Sequence, residues 1–556
     1  MHFRNPLRVL EARTLEEVPA VIEAAEAAQN EGLHAIGWIA YEAAPAFDPA
    51  LPRRPPPPGT PYARFSVYAT EYAGLPQSFG DKAFACEDWR ESLTPEAFAE
   101  RIDRIRSAIA AGETYQVNFT YPAYARFTGD PWSLFRALRA GQSARHQAYL
   151  DEGGRVILSA SPELFFQVKN GQIRCRPMKG TAPPGGGAAL HRSPKDRAEN
   201  VMIVDMIRND LGKCARPGSV EVRDLFAIEP YPSLVQMTST VLAQTRAGIY
   251  EILRALFPCA SITGAPKRQT MRWIQDLEPE PRGIYTGAIG GLYADGSAEF
   301  NVAIRTAVLD RADQTLRYDT GCGIVWDSLA GEEYRESRLK ARIIREPAEP
   351  FQLIETIKAT PEEGCLLWPY HRHRLLKACQ AFGFAVCPQN LESSLQEQLA
   401  RVKAPARLRL LADMDGGLVW TQAPLPPPQT LRVALDTVPT PRNHPELLHK
   451  TTRRTIYTAA RERHPDADDT LLINEDGELM EFTIGSLVLE KNGVRLTPPL
   501  DSGLLPGTAR QAMLDAGTLK EAVITPDDLI TADAVYLLNA VRGMTPIAPH
   551  ISLMNS

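Results

Sequence analysis

The sequence predicts an α+β protein made of at least two folding units, on three observations. A chain of 556 residues exceeds the size at which a single hydrophobic core keeps growing. Up to about residue 345, strand patterns and helix patterns are interspersed, whereas hairpin signals dominate after the segment REPAEPF (345–351). The composition, 44% hydrophobic and 23% charged, is that of an ordinary globular protein.

The first unit contains one amphipathic stretch and several strand patterns. Residues 93–112 place apolar side chains three and four positions apart, which predicts a helix that ends at Gly112. Strands are expected over 155–168 and 172–177, and a hairpin over 287–309 that turns at an Asp-Gly pair. The apolar helix positions are Phe98, Ile102, Ile105 and Ile109.

A domain boundary is predicted at REPAEPF (345–351). The helix pattern before it is followed by two prolines, and a proline beyond a helix stops it. Asp-Gly or Asn-Gly pairs then recur at residues 415, 476 and 492, each between apolar strands. The Pro-rich link APLPPPQ (423–429) divides this half again. We therefore expect domains over 1–346 and 351–556, the second with two subdomains.

Charge and cysteine usage exclude several classes of function. A formal net charge of −6 argues against nucleic acid or an anionic membrane surface as a partner. The eight cysteines form no CxxC pair, which favours reduced thiols over disulfides or a zinc site. No apolar run approaches ~20 residues, so neither a signal peptide nor a membrane span is expected. These observations predict a cytoplasmic protein.

Five segments of the first unit resemble the chorismate-utilising enzymes. In chain order they are GETYQVNFT (112–120), SASPELFF (159–166), KDRAENVMIVDMIRNDLG (195–212), SITGAPK (261–267) and EEYRESRLKA (332–341). Each segment is a weak signal alone, and their common order carries the resemblance. It implies an α/β sandwich whose substrate is chorismate.

Lys179, within Pro177-Met178-Lys179-Gly180-Thr181, separates branches of this family. Aminodeoxychorismate synthases have Lys at this position, whereas anthranilate synthases have Ala. In isolation, a lysine in a Gly-rich turn is usually a surface residue. The resemblance implies instead a nucleophile that adds to C2 of chorismate before ammonia attacks C4. Glu163, in SPELF, matches the general acid that protonates the departing C4 oxygen.

Two pairs of acidic residues form a candidate metal site. Asp196 and Glu199 are three residues apart, as are Glu333 and Glu336, so each pair shares one face of a helix. Either pair alone is better explained as acids that complement the helix macrodipole. The resemblance implies Mg²⁺, with Glu199 and Glu336 as direct ligands and Asp196 and Glu333 bound through water.

The resemblance also implies residues that hold the substrate and a source of ammonia. Gln116 replaces the lysine that activates water in isochorismate synthases, and Ser233 replaces a histidine of anthranilate synthases, so both branches are disfavoured. The sequence has no nucleophilic cysteine in a Gly-rich elbow, so ammonia is expected from solution or from a separate glutamine amidotransferase subunit. The substrate-binding positions are Gly180, Thr181, Gly264, Ala265, Tyr285, Arg305, Gly321, Gly323 and Lys340.

The second unit resembles the fold-type IV pyridoxal-phosphate enzymes, which include branched-chain aminotransferases and 4-amino-4-deoxychorismate lyase. Four segments in the family's order carry the resemblance, although each has an ordinary structural explanation alone. They are HRHRL (371–375), HKTTRRTIY (449–457), MEFTIGSLVL (480–489) and LTPPLDSGLLPGTAR (496–510). The resemblance implies pyridoxal 5′-phosphate as the cofactor.

These segments assign roles to individual residues of the second unit. Lys450 matches the cofactor-linking lysine and Glu481 the partner of the pyridine nitrogen. Arg542, in NAVRGMTPI, matches a substrate loop and is expected to meet a carboxylate. Fold-type IV enzymes are commonly dimers, which favours a homodimer through this domain. The phosphate-binding positions are Arg374, Gly507, Thr508 and Ala509.

Two departures from the fold-type IV pattern concern substrate contacts. The opening strand is shortened to FQLIETIKAT, which keeps only Glu355-Thr356, and Ser486 replaces a frequent asparagine. Both departures bear on substrate contacts more than on cofactor binding.

Together the two resemblances imply consecutive reactions on one chain. Chorismate would be aminated to 4-amino-4-deoxychorismate, and elimination of pyruvate would give 4-aminobenzoate, a folate precursor. Two alternatives for the second half stay open, a true aminotransferase that consumes a keto acid and a non-catalytic domain that keeps the fold. A feedback-binding role for the first half is disfavoured by the retained Glu163, Lys179, Glu199 and Glu336.

Overall fold

The structure is a computed structural model that describes residues 1–72, 82–142, 146–182, 186–230, 235–442 and 444–548. Its backbone divides into two compact units, one of residues up to Pro350 and one that begins at Phe351. Each unit has its own sheets and its own hydrophobic clusters. The α+β class predicted from the sequence is confirmed.

Two antiparallel sheets form the first unit. Within the described residues, the larger has ten strands in the order β1-β3-β2-β14-β15-β8-β9-β12-β10, with β11 beside β12. The smaller has seven, in the order β13-β5-β17-β16-β7-β6, with β4 beside β5. The strands are β1 (Arg8–Ala12), β2 (His34–Ile39), β3 (Ala63–Tyr68), β4 (Phe84–Glu91), β5 (Gln116–Gly129), β6 (His146–Asp151), β7 (Arg155–Ser161), β8 (Leu164–Lys169), β9 (Gln172–Arg176), β10 (Met178–Ala182), β11 (Glu221–Pro230), β12 (Val235–Gln244), β13 (Gly264–Ala265), β14 (Ala288–Leu292), β15 (Ala298–Val302), β16 (Thr306–Asp310) and β17 (Thr315–Ile324).

Helices cover these sheets and close the core of the first unit. The predicted helix is confirmed as α3, which Thr94 caps by accepting a hydrogen bond from the Ala97 N–H at 3.2 Å. It buries Phe98, Ile102 and Ile105 as expected. The helices are α1 (Val18–Asn30), α2 (Ala44–Phe47), α3 (Pro95–Ala110), α4 (Pro131–Gly141), α5 (Gly187–Arg192), α6 (Pro194–Gly212), α7 (Ile249–Leu256), α8 (Lys267–Leu277) and α9 (Ala330–Arg345).

The strand predicted over 155–168 is wrong as a single element. It is two strands, β7 in the seven-stranded sheet and β8 in the ten-stranded sheet. The break falls at Pro162, which cannot donate to a strand ladder. The chain therefore passes from one sheet to the other at Glu163. By contrast, the predicted hairpin at Asp295-Gly296 is confirmed as β14 and β15.

The second unit contains a four-stranded and an eight-stranded sheet, separated along the chain by the Pro-rich link. Within the described residues the orders are β19-β18-β20-β21 and β22-β23-β24-β25-β26-β27, with β28 between β25 and β29. The strands are β18 (Leu353–Thr360), β19 (Gly364–Cys365), β20 (Ala406–Ala412), β21 (Leu418–Pro424), β22 (Val433–Leu435), β23 (Asp469–Ile473), β24 (Leu479–Phe482), β25 (Gly485–Lys491), β26 (Val494–Thr497), β27 (Lys520–Glu521), β28 (Ala534–Asn539) and β29 (Gly543–Pro546). The helices are α10 (Trp368–Phe382), α11 (Pro388–Leu399), α12 (Pro445–Leu448), α13 (Thr455–Arg463), α14 (Thr508–Asp515) and α15 (Pro526–Ile530).

All three hairpins predicted in this half are confirmed. Gly416, Gly477 and Gly493 have φ angles of 93°, 79° and 74°, the left-handed region that favours glycine. Among the described helices, none is both long enough and apolar enough to cross a membrane.

Candidate active sites

Glu163 lies at the crossing between the two sheets of the first unit and is buried, with 5% of its surface exposed. Its Oε1 accepts a hydrogen bond from the Ser261 hydroxyl at 2.7 Å. Burial raises the pKa of Glu163 to about 7, against the opposing effects of Ser261 and the charge of Lys179. A carboxyl group with this pKa carries a proton in a large fraction of molecules near neutral pH and can donate it.

Lys179 and Gln116 meet at Gly323. A Cβ built on Gly323 would lie 3.2 Å from the Lys179 Nζ and 2.9 Å from the Gln116 Nε2, so a side chain here would crowd both groups. Gln116 is buried, and its Nε2 has no hydrogen-bond partner among the described residues. An amide donor and a lysine amine therefore border the same space. Ser233, which replaces a histidine of anthranilate synthases, lies outside the described residues.

Lys340 links several of the predicted substrate-binding positions. Its Nζ donates to the Gly321 carbonyl at 3.0 Å and pairs with the Glu336 Oε1 at 2.7 Å. Its own carbonyl accepts a hydrogen bond from the Arg305 Nη1 at 2.7 Å. Burial acts to lower the pKa of Lys340, but its neighbours Cys322 and Glu336 together raise it. Lys340 thus contacts Arg305 through its main-chain carbonyl, and Gly321 and Glu336 through its amine.

The remaining predicted substrate positions fall on neighbouring elements. Gly264 and Ala265 form β13, where Ala265 pairs with Gln116 of β5. Tyr285 is buried, which raises the pKa of its hydroxyl well above the ordinary value. Thr181 is exposed on β10. Within the described part of the chain, no hydrogen bond or ion pair joins Tyr285 or Thr181 to Lys179.

The acidic pairs of the candidate metal site occupy two helices. The ligand atoms of Glu333, Glu336 and Cys322 lie within 4.8 Å of one another. Burial raises the pKa of the Cys322 thiol to about 12, so it stays protonated and is a poor ligand for Mg²⁺, which prefers oxygen. Glu333 also accepts a hydrogen bond from the Ser328 hydroxyl at 2.7 Å. The two carboxylates of α9 therefore suit a hard cation.

Asp196 and Glu199, both half-buried on α6, are not members of that cluster. Asp196 lies beside Gly180, because a Cβ on Gly180, whose φ is +85°, would be 3.0 Å from the Asp196 Oδ1. Helix α6 nonetheless lies near Glu336 of α9, as the effect of Lys195 on that carboxylate indicates. Burial would raise the pKa of Glu336, but Lys340, Lys179 and Lys195 of α6 lower it. The assignment of Glu199 and Asp196 to a shared magnesium site stays a prediction.

A cavity of about 360 Å³ lies in the second unit. Every residue that the sequence predicted for this unit's site lines it, namely Arg374, Lys450, Glu481, Gly507, Thr508, Ala509 and Arg542. Ile354 of β18 donates its N–H to the Lys450 carbonyl at 2.9 Å, which fixes the lysine segment against the four-stranded sheet. Burial, and after it the charge of Arg374, lower the pKa of Lys450 to about 8.

Glu481 of β24 is held by two donors. Its Oε1 accepts hydrogen bonds from the Tyr457 hydroxyl at 2.7 Å and the Leu505 N–H at 3.0 Å. Burial raises the pKa of Glu481 to about 7. Because both bonds end on Oε1, Oε2 remains for a ligand. The sequence offered no signal for the role of Tyr457, beyond its place in the HKTTRRTIY segment.

Arg374 of α10 is fixed by a buried network. Its guanidinium forms two hydrogen bonds with Glu355, at 2.9 and 2.6 Å, and a third with the Pro506 carbonyl at 3.1 Å. His371 approaches the same carboxylate at 2.6 Å. Although burial acts to raise it, Arg374 and His371 lower the pKa of Glu355 to about 2. Sequence reasoning had noted Glu355 only as a retained family residue.

The residues of this cavity fit pyridoxal phosphate. Arg374 is held beside Gly507, Thr508 and Ala509, where α14 begins and backbone N–H groups suit a phosphate. A Cβ on Gly507 would lie 2.6 Å from the Ser486 hydroxyl, so that loop position has no room for a side chain. A buried acid and an amine of lowered pKa complete the donor set that the cofactor needs.

Comparisons with known proteins find a family match for each of the two units. Residues 76–346 match a family model described as chorismate binding enzyme, and residues 352–549 match one described as amino-transferase class IV. The chain is similar to anthranilate synthase component 1 of Saccharolobus solfataricus, with 32% identity over 335 residues, 56% of this chain and 79% of that one. The chain belongs to the chorismate-binding enzymes.

Two further relatives of this chorismate-binding enzyme concern its first unit. Aminodeoxychorismate synthase component 1 of Klebsiella aerogenes is 42% identical over 261 residues, 45% of this chain. The chain spans 57% of that relative. The solved structure of anthranilate synthase component I from Streptococcus pneumoniae superposes with a TM-score of 0.55 and 25% identity, covering 62% of this chain and 91% of that one.

Proposed function

We propose that the first unit aminates chorismate to 4-amino-4-deoxychorismate and that the second removes pyruvate from this product to give 4-aminobenzoate. The observation that carries the proposal is the amine of Lys179 at the same site as a protonatable Glu163. The cavity of the second unit supports the second step. We place the two activities in domains of residues 1–346 and 351–556.

In the first reaction, Glu163 donates its proton to the C4 oxygen of chorismate, which leaves as water. The Lys179 amine adds to C2 as that bond breaks. Ammonia then forms the new bond at C4, and the C2–N bond to Lys179 breaks. Glu199 and Glu336 would hold Mg²⁺, with Asp196 and Glu333 in its water shell, and the cation would neutralise the ring carboxylate.

In the second reaction, Arg374 and the start of α14 would hold the phosphate of the cofactor, and Glu481 would keep its pyridine nitrogen protonated. Pyridoxal phosphate, when bound, withdraws electrons from the carbon that bears the amine. Lys450 takes the proton from C4 of the substrate, and the C3–O bond breaks. The enolpyruvyl group gains a proton and leaves as pyruvate, so the ring becomes aromatic.

The source of ammonia is proposed to be a separate glutamine amidotransferase. The name component 1, borne by relatives from Klebsiella aerogenes and Saccharolobus solfataricus, supports a partner of this kind. The free thiols of all eight cysteines support a reducing compartment such as the cytoplasm. We also propose a homodimer through the second unit, on the resemblance to fold-type IV enzymes.

Product analysis of the purified chain tests this function. With chorismate, ammonium, Mg²⁺ and pyridoxal phosphate, we expect equal amounts of 4-aminobenzoate and pyruvate without any added keto acid. A need for a keto-acid acceptor would identify an aminotransferase instead. A protein that stops at 4-amino-4-deoxychorismate and shows no visible absorption from bound cofactor would make the second unit a non-catalytic domain.

A further inference from the structure

One edge of β5 lacks a partner strand over a short stretch beside the first site. On this side, β13 pairs with Gln116 and Val117, and β4 pairs with β5 from Ala123 onward. Within the described residues, no strand pairs with this edge over residues 118–122. Backbone N–H and C=O groups that are buried without a partner destabilise a fold, so other groups must satisfy them here.

A buried ion pair, Glu278 with Arg282, takes the place of the missing strand. The Arg282 Nη2 donates to the Asn118 carbonyl at 2.6 Å, and the Glu278 Oε1 accepts from the Thr120 N–H and hydroxyl, both at 2.9 Å. The Arg282 Nη1 donates to the Ile262 carbonyl at 2.9 Å. Because Ile262 lies in the segment that runs into β13, the ion pair ties this segment to β5.

The ion pair provides a fixed geometry. The side chains of Glu278 and Arg282 are each 2% exposed. The guanidinium also donates from Nε to the Glu278 Oε2 at 2.9 Å and from Nη1 to the Thr286 hydroxyl at 3.2 Å, so all three nitrogens are bonded. Apolar side chains of similar volume often give a fold equal stability, so burial of an ion pair is weak evidence for a stabilising role. The rigid guanidinium fork instead sets the relative positions of all the groups that it binds.

We propose that Arg282 and Glu278 are positioning residues of the first site, which hold Ser261 within hydrogen-bonding distance of Glu163. Ser261 directly precedes Ile262, whose carbonyl Arg282 binds, and the Ser261 hydroxyl donates to the Glu163 Oε1 at 2.7 Å. This inference rests on the proposed function, because the hydrogen bond matters for catalysis only if Glu163 is the acid.

The protonation of Glu163 reports whether Ser261 is in place. Burial raises the pKa of Glu163 and the Ser261 hydroxyl lowers it, so loss of that hydrogen bond should raise the pKa further. Among the described residues, the charged or titratable groups that act on Glu163 are Lys179 of β10, which lowers its pKa, and Cys259, two residues before Ser261. Neither group is changed in the variants that test the proposal.

Infrared difference titration of the full-length protein measures the pKa of Glu163 without substrate. The carboxyl band of Glu163 is identified by its absence from the Glu163→Gln variant. We expect Arg282→Lys, which keeps the charge but not the fork, to raise this pKa by roughly half a unit to one unit, as Ser261→Ala should. In the double variant Arg282→Lys/Ser261→Ala, the pKa should lie within roughly 0.3 units of that in Ser261→Ala alone, because both changes remove the same hydrogen bond.

Two further variants control for a general loss of stability. Arg64→Lys is the matched control, since Arg64 of β3 is a half-buried arginine that also pairs with two carboxylates, those of Glu11 and Glu152. It should leave the pKa of Glu163 unchanged. Glu278→Asp keeps the charge but withdraws the carboxylate by one methylene, and it should raise the pKa of Glu163 as Arg282→Lys does.

An unchanged Glu163 pKa in folded Arg282→Lys overturns the positioning role, as does an equal shift in Arg64→Lys or a shift that adds to that of Ser261→Ala. If Arg282→Lys does not fold, the titration of Glu278→Asp decides, and loss of the fold in both variants leaves the ion pair a structural element only. If the wild type makes no 4-amino-4-deoxychorismate, the proposed function fails, while the titration still decides the role of Arg282.

Discussion

Glu163 in the first unit and Lys450 in the second owe their acidity to the same physical cause acting in opposite directions. Burial disfavours the charged form of either group, so the pKa of the carboxyl rises to about 7 and that of the amine falls to about 8. Both groups can therefore exchange a proton near neutral pH. The comparison shows how one chain obtains an acid and a base with burial as the main cause, while neighbouring groups adjust each pKa.

The two sites differ in how they are built. In the first unit, the proposed catalytic groups lie at a chain crossing between two sheets and beside Gly323, which lets Lys179 and Gln116 approach. In the second, all predicted residues line one cavity, and salt-bridged or hydrogen-bonded partners fix Arg374 and Glu481. Substitutions should therefore separate the two proposed activities cleanly.

Loss of Lys450 is the largest expected effect on the second site. Lys450→Ala removes the base for the C4 proton, so pyruvate release should fall by roughly a hundred- to ten-thousandfold. Formation of 4-amino-4-deoxychorismate should be unchanged, as measured by chromatography of the products. Lys403→Ala, an exposed lysine of the same unit, is the control. Pyruvate release at the wild-type rate would remove Lys450 from the proposed mechanism.

Loss of Glu163 is the corresponding change in the first site. A general acid works only when protonated, so the amination rate should fall as pH rises through about 7. Glu163→Gln should remove this pH dependence and lower the rate by roughly a hundredfold. Glu42→Gln is a matched control, since Glu42 is also buried with a pKa raised to about 7 by burial. An unchanged pH profile in Glu163→Gln would contradict the assignment.

Loss of Glu336 on the acidic helix α9 should have an intermediate effect, confined to the magnesium affinity of the first site. Glu336→Gln should weaken the affinity for Mg²⁺ by roughly tenfold or more, measured as the magnesium dependence of chorismate turnover. Pyruvate release from supplied 4-amino-4-deoxychorismate should not change. Glu332→Gln on the same helix, which is not among the clustered ligands, is the control. Identical magnesium dependence in the two variants would disprove the metal role of Glu336.

The smallest effect concerns Ser261, which donates its hydroxyl to Glu163. This hydrogen bond stabilises the carboxylate and so lowers the pKa of Glu163. Ser261→Ala should therefore move the alkaline limb of the amination rate to higher pH, by roughly one unit or less. Ser261→Thr, which keeps a hydroxyl, should return the alkaline limb to its wild-type pH. A shift to lower pH in Ser261→Ala would contradict this account.

Local patterns predicted much of the fold. The Asp-Gly and Asn-Gly hairpins and helix α3 follow from rules that involve only neighbouring residues. The strand over 155–168 was wrong because its apolar pattern continues through Pro162, although a proline inside a strand pattern was a signal of the break. Sheet membership depends on pairing with distant segments, which a local pattern does not encode.

The candidate sites were predictable through motifs, but their supporting contacts were not. Family segments located Arg374 and Glu481, whereas the residues that hold them, Glu355 and Tyr457, are separated from them along the chain by 19 and 24 positions. The choice of partner for a buried polar group depends on tertiary packing. The same holds for Ser261, which lies in a recognised motif but 98 residues from Glu163.

The central claim, that two separate sites act in sequence through a released intermediate, is tested most directly by mixing two inactive variants. Lys179→Ala should make no 4-amino-4-deoxychorismate, and Lys450→Ala should accumulate it. Supplied together with chorismate, ammonium, Mg²⁺ and pyridoxal phosphate, the two proteins should produce 4-aminobenzoate and equal pyruvate. Production of 4-aminobenzoate by Lys450→Ala alone at the wild-type rate, or none from the mixture, would contradict the account.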